Sequence, residues 1–285
     1  MEQTVAVNGV TLGVRTAGRV EDPAILLMHG AGQSLLAWED EFVDRLVAGG
    51  RHVVRFDARD AGRSTNYPVG APPYSLSDMA ADTAALIEAL GLGRAHLVAM
   101  SQGSAIAQLV ALDHPERVAS LTLLGSTAGW AGDENSGLPP MSDEILASFA
   151  EETPGPDWAD RTAVIDYLVE IERPFAGARF DEPALRAIAE GTVDRSTSVE
   201  AQLTNPFLVD PGKPWRHRLG EIAVPALVTH GSRDPLFPLG HGEALAAEIP
   251  GARLIVLEGV GHEIYPRSTW DAVIPEILAH TAPRI

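Results

Sequence analysis

The sequence predicts an α/β protein with a doubly wound, mostly parallel sheet. The run Ala24-Ile25-Leu26-Leu27-Met28 is apolar without interruption, which is typical of a strand buried on both faces. Further strands and helices are predicted to alternate after it, and such alternation favours parallel pairing through right-handed crossovers. The predicted strands lie at 52–56, 95–99, 118–124, 226–229 and 254–257, and the predicted helices at 38–48, 76–90, 104–112, 242–248 and 269–280.

Two departures from this alternation are expected. Asn8-Gly9 separates alternating runs at 4–7 and 10–15, and this dipeptide is a strong signal for an antiparallel hairpin. Between 128 and 218 the predicted helices follow one another with no clear strand. The chain is therefore interpreted as one α/β core, formed by 1–127 and 219–285, with a helical lid inserted at 128–218.

Composition and charge restrict the function. The 285 residues contain no cysteine, which excludes disulfides, cysteine-ligated zinc and a thiol nucleophile. The formal net charge of −18 repels nucleic-acid phosphates and anionic lipid headgroups, so neither is an expected partner. The sequence shows no secretory signal and no apolar run long enough for a membrane helix. We expect a cytoplasmic monomer or homodimer that acts on a small molecule.

The motif with the most chemical content is Ala99-Met100-Ser101-Gln102-Gly103. A predicted strand ends here and a helix begins at once, which is the arrangement of a nucleophile elbow. Such a turn holds its serine in a strained backbone conformation and exposes the hydroxyl above the sheet. Small residues are needed two positions before and after the serine, because strand and helix nearly touch there. Gly103 meets this need, and Ala99 stands where glycine is usual, so Ser101 is the predicted nucleophile.

To act as a nucleophile at neutral pH, a serine hydroxyl needs a base that takes its proton, and the base needs a carboxylate that holds it in place. After such an elbow the acid comes first in the chain and the histidine second. Asp234 directly follows the predicted strand at 226–229, and His262 lies in a glycine-containing loop after the next strand. Either residue alone would be an ordinary turn or loop residue. In this order, Ser101, Asp234 and His262 predict a catalytic triad.

The oxyanion of a tetrahedral intermediate needs hydrogen-bond donors, each worth about 3–4 kcal/mol. The first predicted donor is the backbone N–H of Gln102, which starts the helix after the nucleophile. The second is the N–H of Ala31, in the turn His29-Gly30-Ala31-Gly32 after the third strand, with Gly32 as a weaker option.

Other polar residues are assigned to structure. The loop from Asp57 to Ser64 is interpreted as structural, with Asp57 and Arg59 paired locally. The nine histidines show none of the helical spacings of zinc sites, so no metal and no cofactor are expected.

Taken together, the motifs HGAG, DARDAGRS, AMSQGSA, ALDHPERV, HGSRDP and GVGH resemble those of the α/β-hydrolase superfamily, over nearly the whole chain. Within it the sequence is most similar to the aclacinomycin methylesterase-like enzymes of actinomycete polyketide pathways, through segments 38–42, 54–60 and 277–281. The resemblance implies the α/β-hydrolase fold with a lid over Ser101. It also implies hydrolysis, through an acyl-enzyme, of a methyl ester on a large aromatic polyketide, as in antibiotic biosynthesis.

The predicted lid is rich in aromatic residues, which favours a bulky aromatic ester over a long acyl chain. Packing among the lid helices explains many of them, and four are selected with Gly32 as candidates for substrate contact: Trp130, Trp158, Tyr167 and Phe207. The remaining lid aromatics are Phe149, Phe175, Phe180 and Trp215.

Other functions are compatible with the same residues. Carbon–carbon bond hydrolases and lactonases share the triad, and a polyketide-pathway enzyme that catalyses cyclisation or bond formation would keep the pocket without needing Ser101. A ligand-binding receptor with little turnover is the alternative of a different class. The complete triad argues against it, because binding alone does not require all three residues.

Overall fold

A computed structural model of the chain describes residues 2–129, 137–150 and 154–283. Its strands are β1 (Glu2–Val7), β2 (Val10–Ala17), β3 (Ala24–Met28), β4 (His52–Phe56), β5 (Ala95–Met100), β6 (Val118–Leu124), β7 (Ala226–Gly231) and β8 (Arg253–Leu257). They form one sheet in the order β1-β2-β4-β3-β5-β6-β7-β8. The pairs β1–β2 and β2–β4 are antiparallel and the other pairs are parallel, which confirms the predicted fold class.

The helices are α1 (Asp40–Ala48), α2 (Leu76–Ala89), α3 (Gln102–Asp113), α4 (Asp143–Ala150), α5 (Arg161–Glu172), α6 (Glu182–Arg195), α7 (Val199–Thr204), α8 (Gly240–Glu248) and α9 (Trp270–His280). Helices α4 to α7 lie between β6 and β7, and residues 125–225 are called the inter-strand segment below. Among the helices of the described residues, none has both the length and the apolar character needed to cross a bilayer.

Local sequence explains several boundaries. Asn8 and Gly9 both have positive φ, 45° and 79°, as the two central residues of a type I′ hairpin turn do. Ser75 and Asp78 form a reciprocal capping box at the start of α2, and Gly91 follows its end with φ 68°. Trp38 was expected to begin a helix, but it ends a short 3-10 turn and α1 starts at Asp40.

The core lies on both faces of the sheet. Consecutive residues of β3 alternate between the faces: Ile25 and Leu27 pack in the cluster that includes α1 and α9, whereas Leu26 and Met28 pack in the cluster that includes α2, α3 and α8. The central strands are therefore fixed on both sides. Their carboxyl ends meet at one edge, where ligands bind in open α/β sheets.

The predicted local pairing of Asp57 with Arg59 is wrong. The buried carboxylate of Asp57 accepts the backbone N–H of Leu35 at 2.9 Å and lies 2.7 Å from Nη2 of Arg195, which ends α6. Arg59 instead pairs with Asp82 of α2 at 2.6 Å. The ion pair between Asp57 and Arg195 thus joins the loop after β4 to the inter-strand segment.

We expect Arg195→Met to lower the free energy of unfolding by about 3–5 kcal/mol, because it leaves the Asp57 carboxylate buried without its cation. Urea denaturation measures this change. The matched control is Arg161→Met, since Arg161 pairs with Asp194 on the surface at 2.8 Å. The control should stay close to the parent stability, and equal losses in the two variants would contradict the importance of the buried pair.

Candidate active site

Ser101 stands on a strained turn between β5 and α3. Its backbone has φ 50° and ψ −117°, a conformation that L-residues rarely adopt. Gly103 shows why the turn needs a small residue: a Cβ there would lie 2.5 Å from the carbonyl oxygen of His29 and 2.9 Å from that of Met28. The N–H of Ser101 is donated to the Leu124 carbonyl at 3.0 Å, which fixes the turn to β6.

The three predicted triad residues lie in one hydrogen-bonded line. Nε2 of His262 is 2.9 Å from Oγ of Ser101, and Nδ1 of His262 is 2.8 Å from Oδ2 of Asp234. Because a carboxylate only accepts hydrogen bonds, Nδ1 carries the imidazole proton and Nε2 is left to accept the serine hydroxyl. The arrangement can therefore move a proton from Ser101 to His262.

Asp234 is held in its charged form. Its Oδ1 accepts the backbone N–H groups of Leu236 at 3.0 Å and Phe237 at 2.8 Å. Burial alone would raise the pKa of this carboxyl, but His262 and the Phe237 N–H hold the pKa below its ordinary value. A buried anion at this place stabilises positive charge on His262.

The loop that carries His262 is packed against the inter-strand segment. The N–H of His262 is donated to the Phe175 carbonyl at 2.8 Å. The carboxylate of Glu263 accepts the N–H groups of Gly177 at 3.0 Å and Gly261 at 3.1 Å. A Cβ on Gly261 would lie only 2.6 Å from the backbone N of Gly177, so the two backbones approach too closely for a side chain there.

His29 orients the predicted oxyanion turn, a role that sequence reasoning did not assign. Its Nε2 accepts the N–H of Ala58 at 3.1 Å, so Nδ1 carries the proton and donates to the Gly30 carbonyl at 2.8 Å. Burial lowers the pKa of His29, which keeps this neutral form. Carbonyl and N–H point to opposite sides of a trans peptide, so the N–H of Ala31 is turned away from His29. The only sign of this role in the sequence is that a histidine directly precedes Gly30, the first glycine of the turn.

Gln102 offers the other predicted donor. It is the first residue of α3, where backbone N–H groups have no carbonyl partner within the helix. Its side chain is engaged elsewhere, because Nε2 donates to the Pro206 carbonyl at 2.7 Å.

A cavity of about 530 Å³ opens at Ser101 and His262. Three of the predicted contact residues, Gly32, Tyr167 and Phe207, line it, and Trp130 lies outside the described residues. Trp158 is not in the lining and instead packs edge-to-face on Tyr167 at 5.9 Å. The rest of the described lining is Gly30, Ala31, Gln33, Met100, Ser148, Phe149, Leu168, Ile171, Glu172, Pro174, Phe175, Leu203 and Leu236.

The described part of this lining contains no lysine and no arginine, and Glu172 is its acidic residue. Burial raises the pKa of Glu172, although His262 and a hydrogen bond from Gln33 act in the opposite direction. A second cavity of about 660 Å³ adjoins the first and shares Glu172, Gln33 and Leu168 with it. Neither Ser101 nor His262 lines the second cavity. Within the described residues, no group of three or more acidic or histidine side chains is placed to bind a metal.

Two further histidines lie next to Asp234 and Phe237. His230 donates to the Phe237 carbonyl at 2.6 Å, and its Nε2 is 3.7 Å from Asp234. His241 packs against the Phe237 ring, and its two ring nitrogens contact the Pro139 carbonyl and a threonine hydroxyl, each at 2.8 Å. Burial lowers the pKa of both histidines.

The chain resembles known proteins in both sequence and fold. The profile of a family described as alpha/beta hydrolase fold matches residues 23–268. Rhodomycin D methylesterase of Streptomyces sp. (strain C5) is 32% identical, with 95% of each chain covered. A 2-hydroxy-6-oxononadienedioate/2-hydroxy-6-oxononatrienedioate hydrolase of Burkholderia vietnamiensis is 29% identical over 84% of this chain and 80% of its own. The crystal structure of a hydrolase from Pseudomonas aeruginosa superposes with a TM-score of 0.72 at 27% identity, covering 99% of this chain and 98% of that one. The similarity to methylesterases predicted from the motifs is confirmed.

We expect His241→Gln to reduce the loss of stability at acid pH. Because the pKa of His241 is lowered in the folded protein, His241 takes up its proton more readily when the chain is unfolded. The free energy of unfolding therefore falls as pH drops below about 6.5, by at most about 1.4 kcal/mol per pH unit. The measurement is the urea unfolding free energy at pH 7 and pH 5.5. The matched control is His217→Gln, at an exposed histidine. If the free energy of unfolding of His241→Gln falls between pH 7 and pH 5.5 as much as that of the parent protein, the expectation is contradicted.

Proposed function

The chain belongs to the alpha/beta hydrolase fold family, and from this membership we propose that it is a serine hydrolase that cleaves a carboxylic ester. The observation that carries the proposal is the line of hydrogen bonds from Asp234 through His262 to Ser101, at 2.8 and 2.9 Å. The same geometry argues against a pure binding protein or a non-hydrolytic enzyme, neither of which needs an activated serine.

In the proposed reaction Ser101 Oγ attacks the ester carbonyl carbon while Nε2 of His262 takes the hydroxyl proton. Asp234 stabilises the resulting imidazolium. The N–H groups of Gln102 and Ala31 donate to the oxyanion, and the collapse of the intermediate expels the alcohol with the proton from His262. Water, activated by the same histidine, then hydrolyses the acyl-enzyme and regenerates Ser101.

Residues 128–218 are proposed to act as the lid of the reaction site. Support comes from the side chains that they contribute to the cavity wall, among them Tyr167, Phe175 and Phe207. Phe207 and Phe149 are both more than half exposed, so apolar surface is offered where substrate would enter. Apolar groups of a substrate gain free energy by covering such rings.

The substrate is proposed to be a neutral, bulky ester, with the methyl ester of an aromatic polyketide as the preferred candidate. A cavity of about 530 Å³ lined largely by apolar and aromatic side chains suits such a molecule, and one relative is a methylesterase. The relative from Burkholderia is named for a dioate, which carries two carboxylates. The described lining of the cavity at Ser101 offers no cation to pair with them and presents Glu172, so a dianionic substrate bound within this cavity is disfavoured; the adjoining cavity is lined by Arg179 and Arg267. A cytoplasmic monomer or homodimer remains the expectation from the sequence.

We expect Ser101→Ala to lower the hydrolysis of p-nitrophenyl acetate by at least about 10⁴-fold, and Asp234→Asn by about 10³–10⁴-fold, because each removes a member of the proton-transfer line. Release of p-nitrophenol measures both rates. Ser120→Ala is the control, since Ser120 is buried in β6 and contacts His96. Activity that survives in Ser101→Ala would disprove the proposed nucleophile.

The proposed substrate class predicts a preference that can be measured with three esters. We expect a higher kcat/KM for a tetracyclic aromatic methyl ester than for tributyrin or for the same aromatic ester with an added carboxylate. Glu172→Gln should reduce discrimination against the carboxylated ester, and more strongly as pH rises, because burial raises the pKa of Glu172 and its negative charge grows with pH. Equal activity on all three esters would contradict the proposal.

A further inference from the structure

The turn that carries Ala31 is held from outside by a glutamine of the inter-strand segment. Gln202 lies in α7 and is only 1% exposed. Its Nε2 donates to the carbonyl of Gly32 at 3.0 Å, and its Oε1 accepts the N–H of Gly62 at 3.0 Å. Because a backbone N–H must meet an oxygen, the contact with Gly62 fixes which end of the amide faces Gly32. The hydroxyl of Ser196 also donates to Oε1, at 3.0 Å, which leaves the amide little freedom to rotate.

The turn itself is weakly closed. Its own hydrogen bond, from the N–H of Gln33 to the Gly30 carbonyl, is 3.4 Å long, near the limit for such a bond. Gly32 sits at φ 75°, and glycine has wide conformational freedom when nothing restrains it. The side chain of Gln33 holds the start of the turn, because its Oε1 accepts the Gly30 N–H at 3.1 Å. Gln202 holds the Gly32 carbonyl, at the end of the turn.

We propose that Gln202 is a positioning residue for the oxyanion-stabilising turn, an inference that rests on the proposed function of Ser101. The peptide that bears the Ala31 N–H is held at its own Gly30 carbonyl by His29, and the turn that follows it is held at the Gly32 carbonyl by Gln202. Release of the Gly32 carbonyl lets the turn move, and the Ala31 N–H then meets the oxyanion at a poorer angle. Negative charge on that oxygen is largest in the transition state, so the loss falls on kcat rather than on KM.

The test substitution is Gln202→Glu, which keeps an oxygen for the Gly62 N–H and, when its acid is ionised, replaces the donor to the Gly32 carbonyl by a second acceptor. The matched control is Gln108→Glu in α3. Gln108 is also fully buried, donates to the Ser126 hydroxyl and accepts the indole N–H of Trp215 at 3.0 Å. Both substitutions bury an acidic group where an amide was bonded, so both are expected to lower the melting temperature.

With p-nitrophenyl acetate, we expect Gln202→Glu to lower kcat roughly 10- to 100-fold with KM within about twofold, a smaller effect than complete loss of an oxyanion donor. Affinity for a trifluoromethyl ketone, which forms a tetrahedral adduct on Ser101, should fall in parallel with kcat/KM. Gln108→Glu should keep kcat within about twofold. Gln202→Met is assayed in parallel and carries the same expectation, because it is neutral and lacks the donor, whereas a buried acid that keeps its proton in Gln202→Glu can still donate to the Gly32 carbonyl.

Unchanged kcat in folded Gln202→Met, or a change in KM alone, would overturn the positioning role while leaving the proposed function intact. An equal fall of kcat in Gln108→Glu would also overturn it, since the effect would then follow from stability. Absence of any Ser101-dependent hydrolysis in the parent protein is a separate result, which overturns the proposed function and this inference with it.

Discussion

The site depends on how closely the first turn of α3 approaches the end of β3. Gly103 leaves no room for a side chain between itself and the carbonyl oxygens of Met28 and His29. This approach forces the backbone of Ser101 into its strained conformation, and it also brings the Ala31 turn beside the first N–H groups of α3. The proposed nucleophile and the proposed oxyanion donors are thus positioned by one contact between backbones, and the strain is balanced by the packing of the buried core on both sides of β5.

The inter-strand segment also helps to hold this site in place. It contacts both loops on which the chemistry depends, through the Phe175 carbonyl at His262 and through Gln202 at Gly32. A segment fixed in this way cannot swing open as a rigid flap without disturbing the residues beneath it. Entry of substrate is then expected through movement of side chains at the mouth, where Phe207 is 61% exposed.

Sequence reasoning succeeded where the physical requirement is local. An Asn-Gly turn, uninterrupted apolar strands and a small residue after Ser101 each leave a signal within a few positions, and the sheet with its strained turn at Ser101 follows from them. It failed where the partner is remote. Nothing near Asp57 indicates that its cation is Arg195, because both residues are of types usually found on surfaces. Nor does helical spacing show that Tyr167 faces the cavity while Trp158 supports it, since both lie in a segment whose packing is set by the whole fold.

The buried ion pair between Asp57 and Arg195 also constrains the order in which the nascent protein matures on the ribosome. Asp57 is synthesised first, and at about 5–20 residues per second its cation emerges roughly 7–30 s later. During that interval the carboxylate has no charge partner at its final place, and burial without one is costly. We therefore expect the loop after β4 to reach its final packing only once α6 has been made.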